Sequence, residues 1–194
     1  MKTVLTAVLA FLAIGAVLIH HSSGTPDNQV QNELPILGEA SDFVLIDSKE
    51  QTFRFSELAE DIKVVNFFYA NCPAICPVIH SRMRDIHNQF ASDNTVQFVS
   101  ISIDPSRDTP EELEEYAAKF RKNENSWHFL TGEQEDINQI MEDIFHLGSG
   151  ELPDEHSTRL VLVDNQNQIR GYYQGLEDDS VKELGMHIAR IRVR

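Results

Sequence analysis

The sequence is short of basic charge, of cysteine, and of any repeat. Lys and Arg number 16 against 31 Asp and Glu, a formal net charge of −15 over 194 residues. Nucleic-acid binding needs a basic footprint for phosphate, and this balance argues against it. It argues equally against docking by charge on anionic lipid. No self-similarity recurs at a 20–50 residue period, which excludes a solenoid or propeller reading. What remains is 41% hydrophobic and 24% charged, a globular composition. The length suits one ordinary domain plus an appendage. A domain of ~170 residues buries about 70% of its unfolded surface and needs no staples.

Charge and amide side chains are absent from Val4 to Ile19, a run that follows Met1-Lys2-Thr3. A cationic start before an apolar core is a secretion signal or a signal anchor. No Ala-x-Ala site follows, and no cysteine that could carry lipid. The reading favoured is therefore an uncleaved signal anchor over residues 1–20, with the rest of the chain outside the cytoplasm. Residues 21–33 are Ser, Gly, Asp, Asn and Gln without an apolar period, and read as a flexible tether. The folded domain is expected over residues 34–194.

Within it, Phe43–Ile46 and Thr52–Phe55 predict a hairpin, and Ser56-Glu57-Leu58 opens a short helix. The run from Lys63 to Tyr69 reads as a strand buried on both faces. A loop carries Cys72, and a helix is expected from Pro77 to Phe90. Val96–Ile103 predicts a second buried strand. Thr109-Pro110-Glu111-Glu112 is a helix start with cap, first-turn proline and acids, and that helix is expected to end near Lys122. Trp127–Leu130 predicts a strand, followed by a helix to Phe145. A polar loop spans His146 to Glu155. Arg159–Val163 and Gln168–Tyr173 predict a hairpin, and a helix runs from Asp178 to Ile191. The order predicts an α/β, thioredoxin-like fold with an N-terminal β-hairpin extension. Ile137, Ile140, Met141 and Ile144 at helical spacing read as core, as does Trp127.

Cys72 and Cys76 are the only cysteines, in Asn71-Cys-Pro-Ala-Ile-Cys-Pro77. A structural disulfide over so short a loop would remove little chain entropy. A strand-to-helix junction instead offers backbone amides and the positive helix end, which stabilise thiolate. Thiolate is both nucleophile and metal ligand, so the pair suits thiol–disulfide exchange or a soft metal. Of eight histidines, most are expected at the surface, and two are weighed as a third ligand. His80 follows Cys76 by four and could share its helical face. Against that, Pro73 and Pro77 favour a loop at the first cysteine. His156 precedes the Arg159 strand, where thioredoxin-like redox enzymes carry a cis-proline. A histidine there tips the balance toward metal, because two thiolates and an imidazole suit Cu(I), with room for a further ligand for Cu(II).

At these residues the chain resembles the Sco/SenC family. Four stretches carry the likeness: Val64-Val-Asn-Phe-Phe-Tyr-Ala-Asn-Cys-Pro-Ala-Ile-Cys-Pro77, Ser102-Ile-Asp-Pro-Ser-Arg-Asp-Thr-Pro110, Phe129-Leu-Thr-Gly132 and Asp154-Glu-His-Ser157. It extends over about residues 35–192. The resemblance implies a membrane-tethered, extracytoplasmic copper protein that binds Cu(I) or Cu(II) through Cys72, Cys76 and His156. It implies service to the dinuclear copper centre of cytochrome c oxidase, with that enzyme's copper-bearing subunit or another copper chaperone as partner. Asp104 maps to the family's aspartate near the site, with a turn-capping role as the alternative, and Arg107 is read as structural. Ala74 departs from the family, many of whose members carry aspartate between the cysteines.

The same residues admit a rival, a thiol–disulfide oxidoreductase in which Cys72 attacks and Cys76 resolves. A redox or copper sensor is a weaker alternative. A peroxidase reading lacks a Thr-x-x-Cys context. Residues 104–155 hold 15 acids and 4 basic side chains. Most of these acids read as helix starts and solvated faces, and the rest as cation-concentrating or partner-steering charge.

Overall fold

The computed structural model describes residues 34–59, 61–90, 95–122, 125–148 and 158–192. The anchor expected at 1–20 and the tether at 21–33 lie outside them. Among the described residues no helix is long and apolar enough to cross a membrane.

Eight strands form one mixed sheet: β1 (Gly38–Glu39), β2 (Val44–Asp47), β3 (Thr52–Arg54), β4 (Ile62–Phe68), β5 (Val96–Ser102), β6 (Trp127–Thr131), β7 (Arg159–Val163) and β8 (Gln168–Gln174). Their spatial order is β1-β8-β7-β4-β5-β6-β2-β3. β4, β5 and β6 run parallel, and β7 returns antiparallel beside β4. Every residue of β4 and β5 is buried, as expected of central strands covered on both faces, and β4 reads as a nearly continuous apolar run for that reason. The hairpin β2–β3 does not stand apart, because Ile46 pairs with Thr131 and Asp47 with Leu130 at the edge of the sheet. The two-residue β1, paired through Gly38 with Ile169, is too short to leave a period in the sequence.

Among the described residues four α-helices flank the sheet: α1 (Ile75–Gln89), α2 (Pro110–Ala117), α3 (Gln134–Gln139) and α4 (Asp178–Arg192). The alternation of β4 sorts the core into two layers. Val64 and Phe68 join Ile79 and Met83 of α1, Leu113 of α2, and Leu184 and Ile188 of α4. Val65 and Phe67 face the other way, onto Ile137, Ile140, Met141, Ile144 and Phe145. The four residues read as core at helical spacing, and Trp127, are all buried.

Three boundaries differ from expectation. α1 starts at Ile75 rather than Pro77, since a proline in the first turn gives up only an amide that has no helical partner anyway. Cys76 is thereby inside the helix. α2 is capped by Thr109, whose hydroxyl accepts from the Glu112 amide, but it ends at Ala117 instead of near Lys122. There Phe120 and Arg121 both turn back to the Ala117 carbonyl. The helix after Gly132 passes from α3 into one π turn, Ile140–Ile144, which no periodicity of 3.6 announces.

The expectation that most histidines are solvated fails for His80 and His87. His80 is 0% exposed. Its Nε2 lies 3.3 Å from Asn66 Nδ2 and 3.2 Å from Ser100 Oγ, and its Nδ1 lies 2.8 Å from Tyr116 Oη. Ser100 Oγ donates to Asn66 Oδ1 at 2.6 Å, and Trp127 Nε1 donates to Ser100 Oγ at 3.0 Å. The Nδ2 of Asn66 can only donate, so Nε2 accepts and Nδ1 carries the proton. A buried imidazole in a satisfied network costs little while neutral and much when charged. Burial accordingly holds the His80 pKa down to about 3.

This sets a pH dependence. The unfolded imidazole takes its proton near pH 6.5 and the folded one near 3, so His80 contributes stability above 6.5 that is lost as pH falls through that window. Urea midpoints measured from pH 6.5 to 4 should fall in the wild type. In His80→Gln the same slope should be shallower by roughly 1 kcal/mol per pH unit. Parallel slopes in the two proteins would contradict a neutral buried His80.

Candidate metal centre

β4 delivers the chain to the site, and α1 receives it. After Phe68 the backbone turns so that the Cys72 amide donates to the Tyr69 carbonyl at 3.2 Å. The Cys76 amide, in the first turn of α1, then donates to Cys72 Sγ at 3.3 Å. Both cysteines are free thiols. Cys72 is 6% exposed and Cys76 1%, so Cys72 is the one that touches solvent.

Their acidities diverge. Burial alone would raise Cys72, yet the Cys76 and Ala74 amides, the Cys76 thiol and the Tyr69 hydroxyl together hold it below the usual thiol range. Burial pushes Cys76 up to about 12, with the Cys72 and Asp108 charges adding to it. The two thiols are thus pushed in opposite directions, Cys72 toward easier ionisation and Cys76 toward keeping its proton.

Asp104 sits in the turn after β5. Its carboxylate accepts from Ser106 Oγ at 2.9 Å and from Arg107 Nε at 2.5 Å, and also pairs with the Arg107 Nη2. Burial opposes its ionisation, but Arg107 and Ser106 hold it below the ordinary carboxylate range. The neighbouring Asp108 went unread in the sequence, and it is the one that reaches the cysteine loop. It is 0% exposed, and its Oδ2 accepts from the Ala70 amide at 2.9 Å and Ser102 Oγ at 2.6 Å. Its Oδ1 is buried with no hydrogen-bond partner among the described residues. Burial raises its pKa, partly offset by Ser102 and Ala70. The available signal was its place just before the Thr109 cap, where a chain leaving β5 must turn back over the end of β4.

His80, weighed as a ligand, points into the core rather than to the cysteine sulfurs. His156 lies outside the described residues. The register does locate where the chain resumes. Asn66 of β4 pairs with Leu160 of the antiparallel β7, so β7 begins at the end of the sheet where β4 stops and the cysteine loop starts. Thr158 is fixed there by the Gly175 amide, which donates to its carbonyl at 2.6 Å. Gly175 has to be small, since a Cβ would stand 2.9 Å from that carbonyl and 3.1 Å from Ile79. Among the described residues no three of His, Cys, Asp and Glu are grouped to hold a metal.

The divergence of the thiols is directly measurable. A short iodoacetamide pulse on the reduced protein at pH 7, mapped by tandem mass spectrometry, should place the first label on Cys72 by at least about tenfold over Cys76. The Cys72 rate should persist below the ordinary thiol midpoint of about 8.5. Equal labelling would contradict the assignment.

Comparison with known proteins agrees with this geometry. The SCO1/SenC family profile matches residues 35–191. The SCO1 protein homolog of Bacillus subtilis is 26% identical over 156 residues, covering 77% of this chain and 81% of its own length. A SCO1/SenC family lipoprotein from Bacillus anthracis superposes with a TM-score of 0.73 at 25% identity, over 81% of this chain and 97% of that one. Yeast Sco1, in a crystal structure with copper bound, gives a TM-score of 0.62 at 25% identity, over 80% and 94% of the two chains. A match over this much of the sequence, with the cysteine loop and the Asp-Pro turn inside it, means that the chain belongs to the SCO1/SenC family.

Proposed function

We propose that this protein is a copper metallochaperone, holding Cu(I) or Cu(II) through Cys72, Cys76 and His156 and delivering it for assembly of the dinuclear copper centre of cytochrome c oxidase. The observation that carries the reading is the pair of free cysteines at the β4–α1 junction, with the Cys72 thiol held below the usual thiol range by the amides around it. Two soft sulfurs with an imidazole match what copper prefers. The start of β7 at the same end of the sheet supports His156 as the third donor. Copper in the yeast relative's structure supports the identity of the metal.

Copper here is cargo, and the chemistry is ligand exchange. The dithiol must be reduced, because the sulfurs of a disulfide lack the thiolate lone pair that a metal takes. Cys72, the more exposed and more ionised, receives the metal first. Cys76 gives up its proton as it ligates, since a coordinating thiol is deprotonated. His156 completes the site, and thiolates of an acceptor then replace the three donors in turn. The acceptor in this reading is the copper-bearing subunit of cytochrome c oxidase or another copper chaperone. Residues 1–20 tether the domain on the extracytoplasmic face of the membrane, and residues 21–33 give it reach. A thiol–disulfide oxidoreductase would need the two cysteines and not the histidine.

The test uses the full chain, reduced, loaded separately with Cu(I) and Cu(II) and desalted. The wild type should retain about one copper per chain, and His156→Ala should weaken retention at least about tenfold, the scale on which loss of one ligand acts. The oxidised chain should retain none. Failure of the reduced wild type to retain copper would overturn the proposal in favour of thiol exchange.

A further inference from the structure

A groove of about 710 Å³ runs between α1 and α4, and none of its lining residues belongs to the cysteine loop. Ile86 and Phe90 of α1 and Val181 and Ala189 of α4 give it an apolar floor. Met186, on its α4 side, is 63% exposed, the most of any large apolar side chain among the described residues. Beside it Gly185 leaves the helix surface bare, since a Cβ there would meet only Gln89 Oε1, at 3.8 Å. A protruding methionine next to a bare glycine is a knob next to a hole.

The charges on this face of α4 are symmetric about that glycine. Asp178 stands seven residues before Gly185 and Arg192 seven after it, so all three fall on one stripe, about 10 Å apart along the axis. Asp179 and Arg190 follow the same order on the flank. Asp178 is oriented by Arg82 at 2.5 Å and is still 73% exposed. Arg192 lies over the Phe90 ring at 5.6 Å and is exposed as well. A stripe that is acidic at one end, small in the middle and basic at the other matches itself when turned end for end. An acidic partner helix would use only its basic end, and a lipid tail only the apolar floor. We propose that the α1–α4 groove docks a second copy of this chain, in an isologous contact with the two α4 helices antiparallel and crossing at Gly185. Asp178 of each copy then meets Arg192 of the other, and Met186 of each enters the groove of the other. The net charge of −15 opposes the approach of two copies elsewhere. α1 and α4, with five basic and four acidic side chains between them, escape that repulsion. This inference does not rest on the copper reading.

The experiment follows the full chain in detergent, reduced and free of metal, by sedimentation velocity at about 100 µM, above the micromolar Kd at which interfaces of ordinary size begin to hold. The wild type should sediment as a dimer. Asp178→Arg sets arginine against arginine across the two-fold, and Arg192→Asp sets aspartate against aspartate, so each variant alone should associate at least about tenfold more weakly. Mixed, the two should form a heterodimer of near wild-type affinity, because both contacts then pair opposite charges. Loss of contacts within a protomer, Asp178 to Arg82 or Arg192 to Phe90, would not be cured by mixing. A cross-link locates the contact. In a Cys72→Ser, Cys76→Ser background, two thiols and glutathione disulfide give the intermolecular disulfide and two glutathione thiols. Gly185→Cys should form that disulfide at least about tenfold faster than Glu183→Cys, a position that is exposed but off the stripe. Should a charge variant lose its fold by circular dichroism, the cross-link decides alone. A monomeric wild type overturns the inference and leaves the groove to a partner of another kind. A dimer that neither charge variant weakens, variants that mixing does not restore, or equal cross-linking at the two positions overturns it as well.

Discussion

The contact on which the site depends is the one between the first turn of α1 and the sulfur of Cys72, where the Cys76 amide donates across 3.3 Å. Helices leave their first amides without internal partners. Here one of those amides meets a sulfur rather than a capping oxygen, and Ala74, the residue before the helix, has no side-chain cap to compete with it. The spacing of three residues between the cysteines follows from that geometry. The first cysteine lies in the loop, the second within the helix, and the helix end turns back on the first. One sulfur is thereby made the easier to ionise, while burial pushes the other up.

Such a contact survives only if the helix start does not move, and the core is built to hold it. His80 lies one turn after Cys76, bonds the Cys76 backbone, and is locked among Tyr116, Asn66 and Ser100. Asn66 and Ser100 are cross-strand partners in β4 and β5, so α1 is fastened to the two central strands by hydrogen bonds as well as by apolar packing. On the loop side, Asp108 pins the Ala70 amide to Ser102 at the end of β5. The cysteine loop is therefore anchored at both ends by buried polar groups, one set beneath it and one beside it. Those groups gain their strength from the low-dielectric core and would be costly to leave unpaired.

Much of this was legible in the sequence, for reasons that can be named. β4 announces itself because a central strand buried on both faces is nearly all apolar, and Thr109-Pro110 because its cap and proline have few other uses. Cys72 and Cys76 stood out by scarcity and by lying between a strand and a helix. Other features were hidden. Periodicity cannot show that a histidine at a helical position points into a polar network, as His80 does. Nor can it tell two aspartates in one turn apart, although Asp104 faces Arg107 and Asp108 faces the loop. Lys63 is a further case. It reads as a strand start, yet it is 0% exposed, bonded to the Leu58 carbonyl at 3.1 Å and to Asn167 Oδ1 at 2.6 Å. Its burial pulls its pKa down to about 8. Its partners lie five and 104 residues away, and only the fold brings the second to it.

The central claim is that copper is held by the two sulfurs of the β4–α1 junction together with one imidazole. X-ray absorption at the copper edge, on the reduced full chain loaded with Cu(I), tests it most directly. The account predicts two sulfur scatterers in the inner shell and the outer-shell pattern of a single imidazole, with that pattern absent in His156→Ala. A shell containing one sulfur or none, or an imidazole signal unchanged in the variant, would contradict it.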